Sequence, residues 1–198
     1  MPIPWLDLPA SRVDEAARML LGWRLTANGV TVRLTEVEAY SGLGEDPASH
    51  AHRGVTDRNR VMFGPAGRLY VYQIYGMHFC ANVVCGETGR AAAVLLRAGA
   101  VVDGIALARE RRPAARRDTD LAAGPAKLMQ VLALNREAND TPVLGGGPAT
   151  LIPPDGPAGP VSAGPRVGVT SAHDVPWRFW TTGDPTVSAY RRHTPRAR

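Results

Sequence analysis

Trp23-Arg24-Leu25-Thr26-Ala27-Asn28-Gly29-Val30-Thr31-Val32-Arg33-Leu34-Thr35-Glu36-Val37-Glu38-Ala39-Tyr40 is the stretch that decides the fold. Trp23 to Ala27 and Val30 to Tyr40 read as two strands, and Asn28-Gly29 between them is a pair that tolerates the left-handed conformations of a tight hairpin turn. On the second strand the even positions Val32, Leu34, Glu36 and Glu38 share one face because side chains alternate. Two carboxylates therefore extend an apolar stripe. A carboxylate at the end of an inward-facing row loses solvation and is suited to take a proton from water. A strand that runs out of the core would instead leave both glutamates in solvent, and periodicity does not choose between Glu36 and Glu38.

Outward from this hairpin, Ser11 and Asp14 resemble a capping box, and Val13, Ala16, Ala17, Leu20 and Leu21 recur at helical spacing until Gly22. Residues 41–60, rich in Gly, Asp, Ser, Arg and Asn, read as a functional loop. Leu69 to Ile74 and Phe79 to Val84 are strand candidates separated by Tyr75-Gly76-Met77-His78, and Ala92 to Arg97 is a third. Asp103 to Arg111 and Pro125 to Leu134 look helical, with Pro125 at the first helical position. Residues 144–165 are mostly Gly, Pro and Ala and read as a surface loop with little capacity to pack. Arg166 to Tyr190, with Val167, Val169, Trp177, Phe179 and Trp180, returns to the sheet, and 191–198 form a basic tail. Strands and helices interleave without a βαβ rhythm, so the expected class is α+β: one domain over 1–198, a mainly antiparallel sheet, flanking helices and long loops.

The 198 residues fit a single core, and 44% hydrophobic with 21% charged residues is ordinary soluble usage. No apolar run approaches the ~20 residues of a membrane span, and the N-terminus has no signal-peptide pattern, so a cytoplasmic protein is expected, nucleoid-associated if bacterial. Cys80 and Cys85 are too few for a disulfide scaffold and lack a paired CxxC for zinc. A net charge of +5 favours a polyanionic partner, although the abundance of Arg, Ala, Gly and Pro also fits a GC-rich genome. Arg109, Arg111, Arg112, Arg116 and Arg117 cluster, which favours a nucleic-acid surface over scattered solvated charge.

The loop residues His50, His52, Arg53, Arg58, Asn59 and Arg60 concentrate donors suited to a base edge and phosphates. As metal ligands, His50 and His52 lack further partners at convincing spacing, so no metal is expected. Three of the five tyrosines, Tyr70, Tyr72 and Tyr75, fall together, and Tyr75 precedes Gly76 where a turn should expose it. A rival use of Glu36 and Glu38 is glycoside hydrolysis, since strand residues two apart lie ~7 Å apart, within the ~6.5–9.5 Å of inverting carboxylates. Side chains on one face point the same way, however, whereas that acid and base must flank the scissile bond.

Several blocks resemble the alkyladenine DNA glycosylase family in order and spacing: Glu36-Val37-Glu38-Ala39-Tyr40, Ala48-Ser49-His50-Ala51, Thr56-Asp57-Arg58-Asn59, Met62-Phe63-Gly64, Leu69-Tyr70-Val71-Tyr72, Tyr75-Gly76-Met77-His78, Asn82-Val83-Val84 and Leu95-Leu96-Arg97-Ala98. The likeness continues through Gly124-Pro125-Ala126-Lys127-Leu128 to Pro165-Arg166-Val167-Gly168-Val169 and Pro176-Trp177-Arg178-Phe179. The resemblance implies a monomeric, cofactor-free enzyme with a curved antiparallel sheet, which flips an alkylated purine out of double-stranded DNA and hydrolyses its glycosidic bond. It implies Glu38 as general base and Tyr40, His50, Tyr72 and Asn82 as the base pocket. Tyr75, with Met77 beside it, would insert into the duplex, and Arg58, Asn59 and Arg97 would lie at the rim or DNA backbone. The alternative of a non-catalytic nucleic-acid-binding module is disfavoured by the intact Glu38. Strand cleavage would need an amine, and the single lysine, Lys127, falls in a helix remote in sequence from Glu38, leaving Pro2 as the other route.

Overall fold

Asn28 and Gly29 do adopt left-handed conformations, with φ of 48° and 79°. In the computed structural model, which describes residues 3–6, 8–42, 44–156, 159–190 and 192, they join β1 (Arg24–Ala27) to β2 (Val30–Tyr40). α1 (Val13–Leu20) precedes the hairpin and buries Val13, Ala16, Ala17 and Leu20 on one face. Its expected capping box does not form. A 3-10 turn over Ala10–Arg12 leads in, no side chain caps it, and the Ala10 N–H is instead accepted by Glu87 Oε2 at 2.8 Å.

β3 (Leu69–Ile74) and β4 (His78–Val84) form a second hairpin, followed by β5 (Ala93–Asp103). This last strand extends beyond the expected end at Arg97, because the small residues after it let it lie close against β2. A side chain at Gly99 would come within 2.4 Å of the Arg33 carbonyl oxygen. α2 (Ile105–Arg111) and α3 (Pro125–Val131) then pack beside the sheet. β6 (Ala149–Ile152) and β7 (Val161–Gly164) lie inside the segment expected to be a plain loop, and β8 (Arg178–Thr181) completes the sheet. β6 pairs with β1 and buries Ala149 and Leu151, two inward positions that are too few to give a periodic signal. The basic tail 191–198 lies outside the described residues except for Arg192.

All the strand pairs are antiparallel, in the order β3-β4-β5-β2-β1-β6, with β8 also paired to β2 and β7 to β8. β2 changes partner along its length: Val30 to Arg33 face β1, whereas Glu36 to Glu38 face β8. The sheet curls, and the fold is α+β as expected. Among the described residues no helix is long and apolar enough to cross a membrane.

Two bulges in β2 and β5 overturn the expected face of the glutamates. Between Leu34 and Glu36 the partner advances only from Gly99 to Ala98, so Thr35 is extra on β2; between Glu36 and Val37 it jumps from Ala98 to Leu96, so Arg97 is extra on β5. An extra residue reverses the alternation beyond it. Val30, Val32 and Leu34 enter the main core, and after the bulge Val37 and Ala39 take over, leaving Glu36, Glu38 and Tyr40 off that core. A second, smaller core of Ala51, Val61, Met62, Tyr70, Val84, Ala91 and Ala93 packs against Tyr40 and Tyr72.

Part of the arginine cluster braces the chain. Arg111 donates to the carbonyls of Val131 and Asn28 (2.6 and 2.7 Å), Arg112 to Gln130, Arg109 to Asp118 and Arg117 to Asp120. The contacts of Arg111 and Arg112 tie the end of α2 to α3 and to the β1–β2 turn, where unpaired backbone carbonyls otherwise stand, whereas those of Arg109 and Arg117 are exposed ion pairs.

Candidate active site

The bulged half of β2 places two fully buried carboxylates side by side, and their hydrogen bonds set them apart. Glu36 Oε1 accepts from Arg97 Nε (2.8 Å), Arg178 Nε (2.7 Å) and Ser188 Oγ (2.8 Å), and its Oε2 accepts from the Ser188 N–H (2.6 Å). Burial alone would raise the Glu36 pKa, but Arg97, Arg178 and Ser188 together hold it below the usual carboxylate value. Glu38 is less occupied. Its Oε1 accepts from the Val167 N–H (2.7 Å), its Oε2 from the Tyr40 hydroxyl (2.8 Å), and Arg97 Nη1 stands off at 3.4 Å. Each carboxylate oxygen has two lone pairs, so Glu36 Oε2 and Glu38 Oε1, with one donor each, both keep one; the two groups differ in that Glu36 is held by four close donors and Glu38 by two.

Tyr40, Arg97 and Val167, the three partners of Glu38, line a cavity of about 460 Å³, whereas Arg178 and Ser188 do not. Glu38 therefore lies directly behind the cavity wall. Tyr72, His50 and Asn82 also line it, together with Tyr70, Met62, Cys80, Leu95 and the 167–170 segment, to which the sequence assigns no pocket role. Tyr70 carried a usable signal, since it shares a strand face with Tyr72. Tyr40 and Tyr72 have pKa values well above that of a free phenol, chiefly from burial, with Glu38 adding to the first and the Cys80 thiol to the second. Burial likewise pushes the Cys80 thiol up to about 11. His50 Nδ1 lies 3.0 Å from the Tyr70 hydroxyl, and the ring meets Tyr72 edge-on at 4.7 Å. Burial first, then the charge of Arg58, lowers the His50 pKa, so the ring is neutral at pH 7. Asn82 is buried and donates to the Tyr70 carbonyl at 3.0 Å.

Arg166 and Asp46, which are far apart in sequence, form a buried two-pronged ion pair at 2.6 and 2.8 Å. The Arg166 guanidinium lies 4.7 Å from the Tyr40 ring centre and 5.5 Å from that of Trp177, and it also donates to the Ala39 carbonyl. It thus joins the loop leading to His50 to the segment that caps Glu38. Arg166 falls in one of the family-like blocks, but the sequence assigns neither residue a role.

The other predicted residues divide. Tyr75 and Met77 are 88% and 70% exposed at the tip of the β3–β4 hairpin, where Tyr75 and Gly76 are both left-handed. Arg58 is exposed, 5.5 Å from the Tyr72 ring centre. Asn59 is not at the rim: it is buried, donates to the carbonyls of His50 and Gly54 (2.8 and 2.9 Å), accepts from the Thr56 N–H and so pins the loop. Arg97 is likewise buried between the glutamates rather than exposed at the rim; it alternates with Leu96 and Ala98 of the main core and shares the cavity face with Leu95. A second cavity of about 620 Å³ shares Ser49, His50 and Thr170 with the first and adds His52, Arg53, Thr56 and Ser171. Its donors suit a phosphate. Lys127 follows Pro125 on α3 and is not among the lining residues, and Pro2 lies outside the described residues. Among the described residues no three His, Cys, Asp or Glu side chains gather as a metal site.

The sequence model described as methylpurine-DNA glycosylase (MPG) matches residues 7–185. Proteins named "Putative 3-methyladenine DNA glycosylase" are similar over most of their length. The one from Streptomyces avermitilis is 53% identical, covering 93% of this chain and 88% of the relative. The one from Nocardia farcinica is 54% identical, over 92% and 88%. A third, from Rhodococcus jostii, is 49% identical, over 92% and 83%.

Proposed function

The chain belongs to the methylpurine-DNA glycosylase family, and from that premise we propose that it turns an alkylated purine out of duplex DNA into the 460 Å³ cavity and hydrolyses the glycosidic bond with water activated by Glu38. The observation that carries this is the contrast between the two buried carboxylates: the partners of Glu38, namely Tyr40, Val167 and the more distant Arg97, line the cavity, whereas Glu36 takes four close donors, three of them from Arg178 and Ser188, which do not line it.

In the proposed reaction water gives a proton to Glu38 as its oxygen bonds to C1′ of the deoxyribose. The C1′–N bond breaks, and its electron pair leaves with the purine. A base alkylated at N3 or N7 is cationic and departs neutral, so it needs no acid. The electron-rich faces of Tyr40 and Tyr72 favour such a cation, and the raised phenol pKa values keep both rings as hydrogen-bond donors. Asn82 would crowd the exocyclic amine of normal guanine. Tyr75, with Met77, would fill the gap left in the stack. Arg53 and Thr56 on the second cavity, with Arg58 over the Tyr72 ring, would take backbone phosphates. The enzyme would act as a monomer without metal or cofactor; a neutral base such as ethenoadenine or hypoxanthine would leave in the same way only when a proton is also delivered to it.

Glycoside hydrolysis by Glu36 and Glu38 is disfavoured, since Glu36 is held by four close donors and both carboxylates sit on one face. The test uses duplex DNA carrying a single 7-methylguanine. Strand breakage only after hot alkali, with no borohydride-trapped adduct, is expected of a monofunctional glycosylase. A trapped adduct would redirect attention to Lys127 or Pro2, and binding without base release would favour a binding module.

A further inference from the structure

We propose that Glu36 is a positioning residue for the hydrolysis: it engages Arg97 and keeps that guanidinium from closing on Glu38. The inference rests on the reading of Glu38 as general base. Arg97 gives Glu36 its Nε at 2.8 Å, and only Nη1 approaches Glu38, at 3.4 Å. A guanidinium free of Glu36 would form the shorter, two-pronged bridge that arginine makes with a carboxylate, occupying the acceptor site a water needs and weakening the base.

The surroundings single out Arg97 as the cation that Glu36 must restrain. Glu38 faces Tyr40 on its own strand, Arg97 on β5 and the Val167 N–H, with Arg166, Tyr72 and Cys80 further off. Arg166 is committed to Asp46 and the thiol and phenols are neutral, which leaves Arg97. Glu36 is in turn fixed by a strap over residues 184–188. Asp184 pairs with Arg33 (3.0 Å), Thr186 meets the bulged Thr35 (2.7 Å), and Ser188 donates both N–H and hydroxyl to Glu36. Arg178 closes the ring by donating to the Ser188 carbonyl at 2.7 Å. Two carboxylates and two guanidiniums share one buried site, so their charges balance.

The test compares single-turnover excision with affinity for lesion DNA in four variants: Glu36→Gln, Glu36→Asp, the charge-balanced double variant Glu36→Gln/Arg178→Gln, and Glu38→Gln. Glu36→Gln alone strands a buried cation and can fail to fold, whereas removing both partners together is far milder. The double variant should lose roughly tenfold in rate with affinity changed by no more than about twofold, and Glu36→Asp, which keeps the charge, should recover most of the rate. A folded double variant with wild-type rate would overturn the inference, as would equal losses of rate, affinity and melting temperature in the Gln and Asp variants. A fully active Glu38→Gln would instead remove the base assignment, and this inference with it.

Discussion

The bulged half of β2 and the tip of the β3–β4 hairpin break ordinary patterning in opposite directions. At Glu36 and Glu38, charges are buried and every carboxylate oxygen is bonded. At the hairpin tip, Tyr75 and Met77 hold apolar surface out in solvent. Buried charges persist only where partners replace the lost water, so the first region is fixed by chain segments from β5, β8, the 167 segment and the strap. An exposed aromatic needs no partner, and the second region is held by its turn alone. The comparison teaches that one site is built for chemistry that tolerates little displacement, and the other for contact with something that comes from outside.

Breaking the buried region should have the larger effects. Arg166→Met would leave Asp46 without its counter-ion, with an expected loss of about 3–5 kcal/mol in stability, measurable as a shift in the urea midpoint. A loss within experimental error would show that the pair is not what joins the two segments. Glu38→Gln keeps the shape and removes the base, so excision should fall by at least ~10²-fold while DNA binding survives. Near-normal turnover there, with loss in Glu36→Gln, would exchange the two roles. At the hairpin, Tyr75→Ala should lower excision from paired duplex by up to about tenfold and leave stability within about 0.5 kcal/mol, as for a surface position. A large drop in melting temperature would mean that Tyr75 packs instead of inserting.

The smallest expected effect is on acid stability. Because the Glu36 pKa is held below its ordinary 4.5, its contribution to stability is complete above that value and is lost as the pH falls through the depressed one. Melting temperature against pH should therefore decline in this acid range, and the limb should be shallower in the double variant that lacks both Glu36 and Arg178.

The hairpins were legible because turn chemistry and β-branched runs are local signals: Asn28-Gly29 marks the first, and β2 and β3 end where the sequence indicated. The orientation of Glu36 and Glu38 was not legible. It depends on Thr35 being unpaired against β5, a consequence of strand pairing that alternation along one strand does not record. Arg97 is buried for a similar reason, since Glu36, Glu38 and Ser188 come to it from other parts of the chain. Asp46 and Arg166 were silent for a related reason, since only the fold brings them together. Within the arginine cluster Arg111 reaches backbone carbonyls at the end of α3 and in the β1–β2 turn, which composition cannot show. His50, Tyr72 and Asn82 did reach one cavity, and their roles there rest on the chemistry still to be measured.

The most direct test measures single-turnover release of 7-methylguanine from two substrates, one with the lesion paired in normal duplex and one with it already extrahelical, by wild type, Glu38→Gln and Tyr75→Ala. The account predicts that Glu38→Gln loses at least ~10²-fold on both, because the bond to C1′ must be hydrolysed in either case. Tyr75→Ala should lose activity only on the paired substrate, where unstacking costs a few kcal/mol. Substantial activity of Glu38→Gln on the extrahelical lesion would contradict the claim that the buried carboxylate behind Tyr40 performs the chemistry.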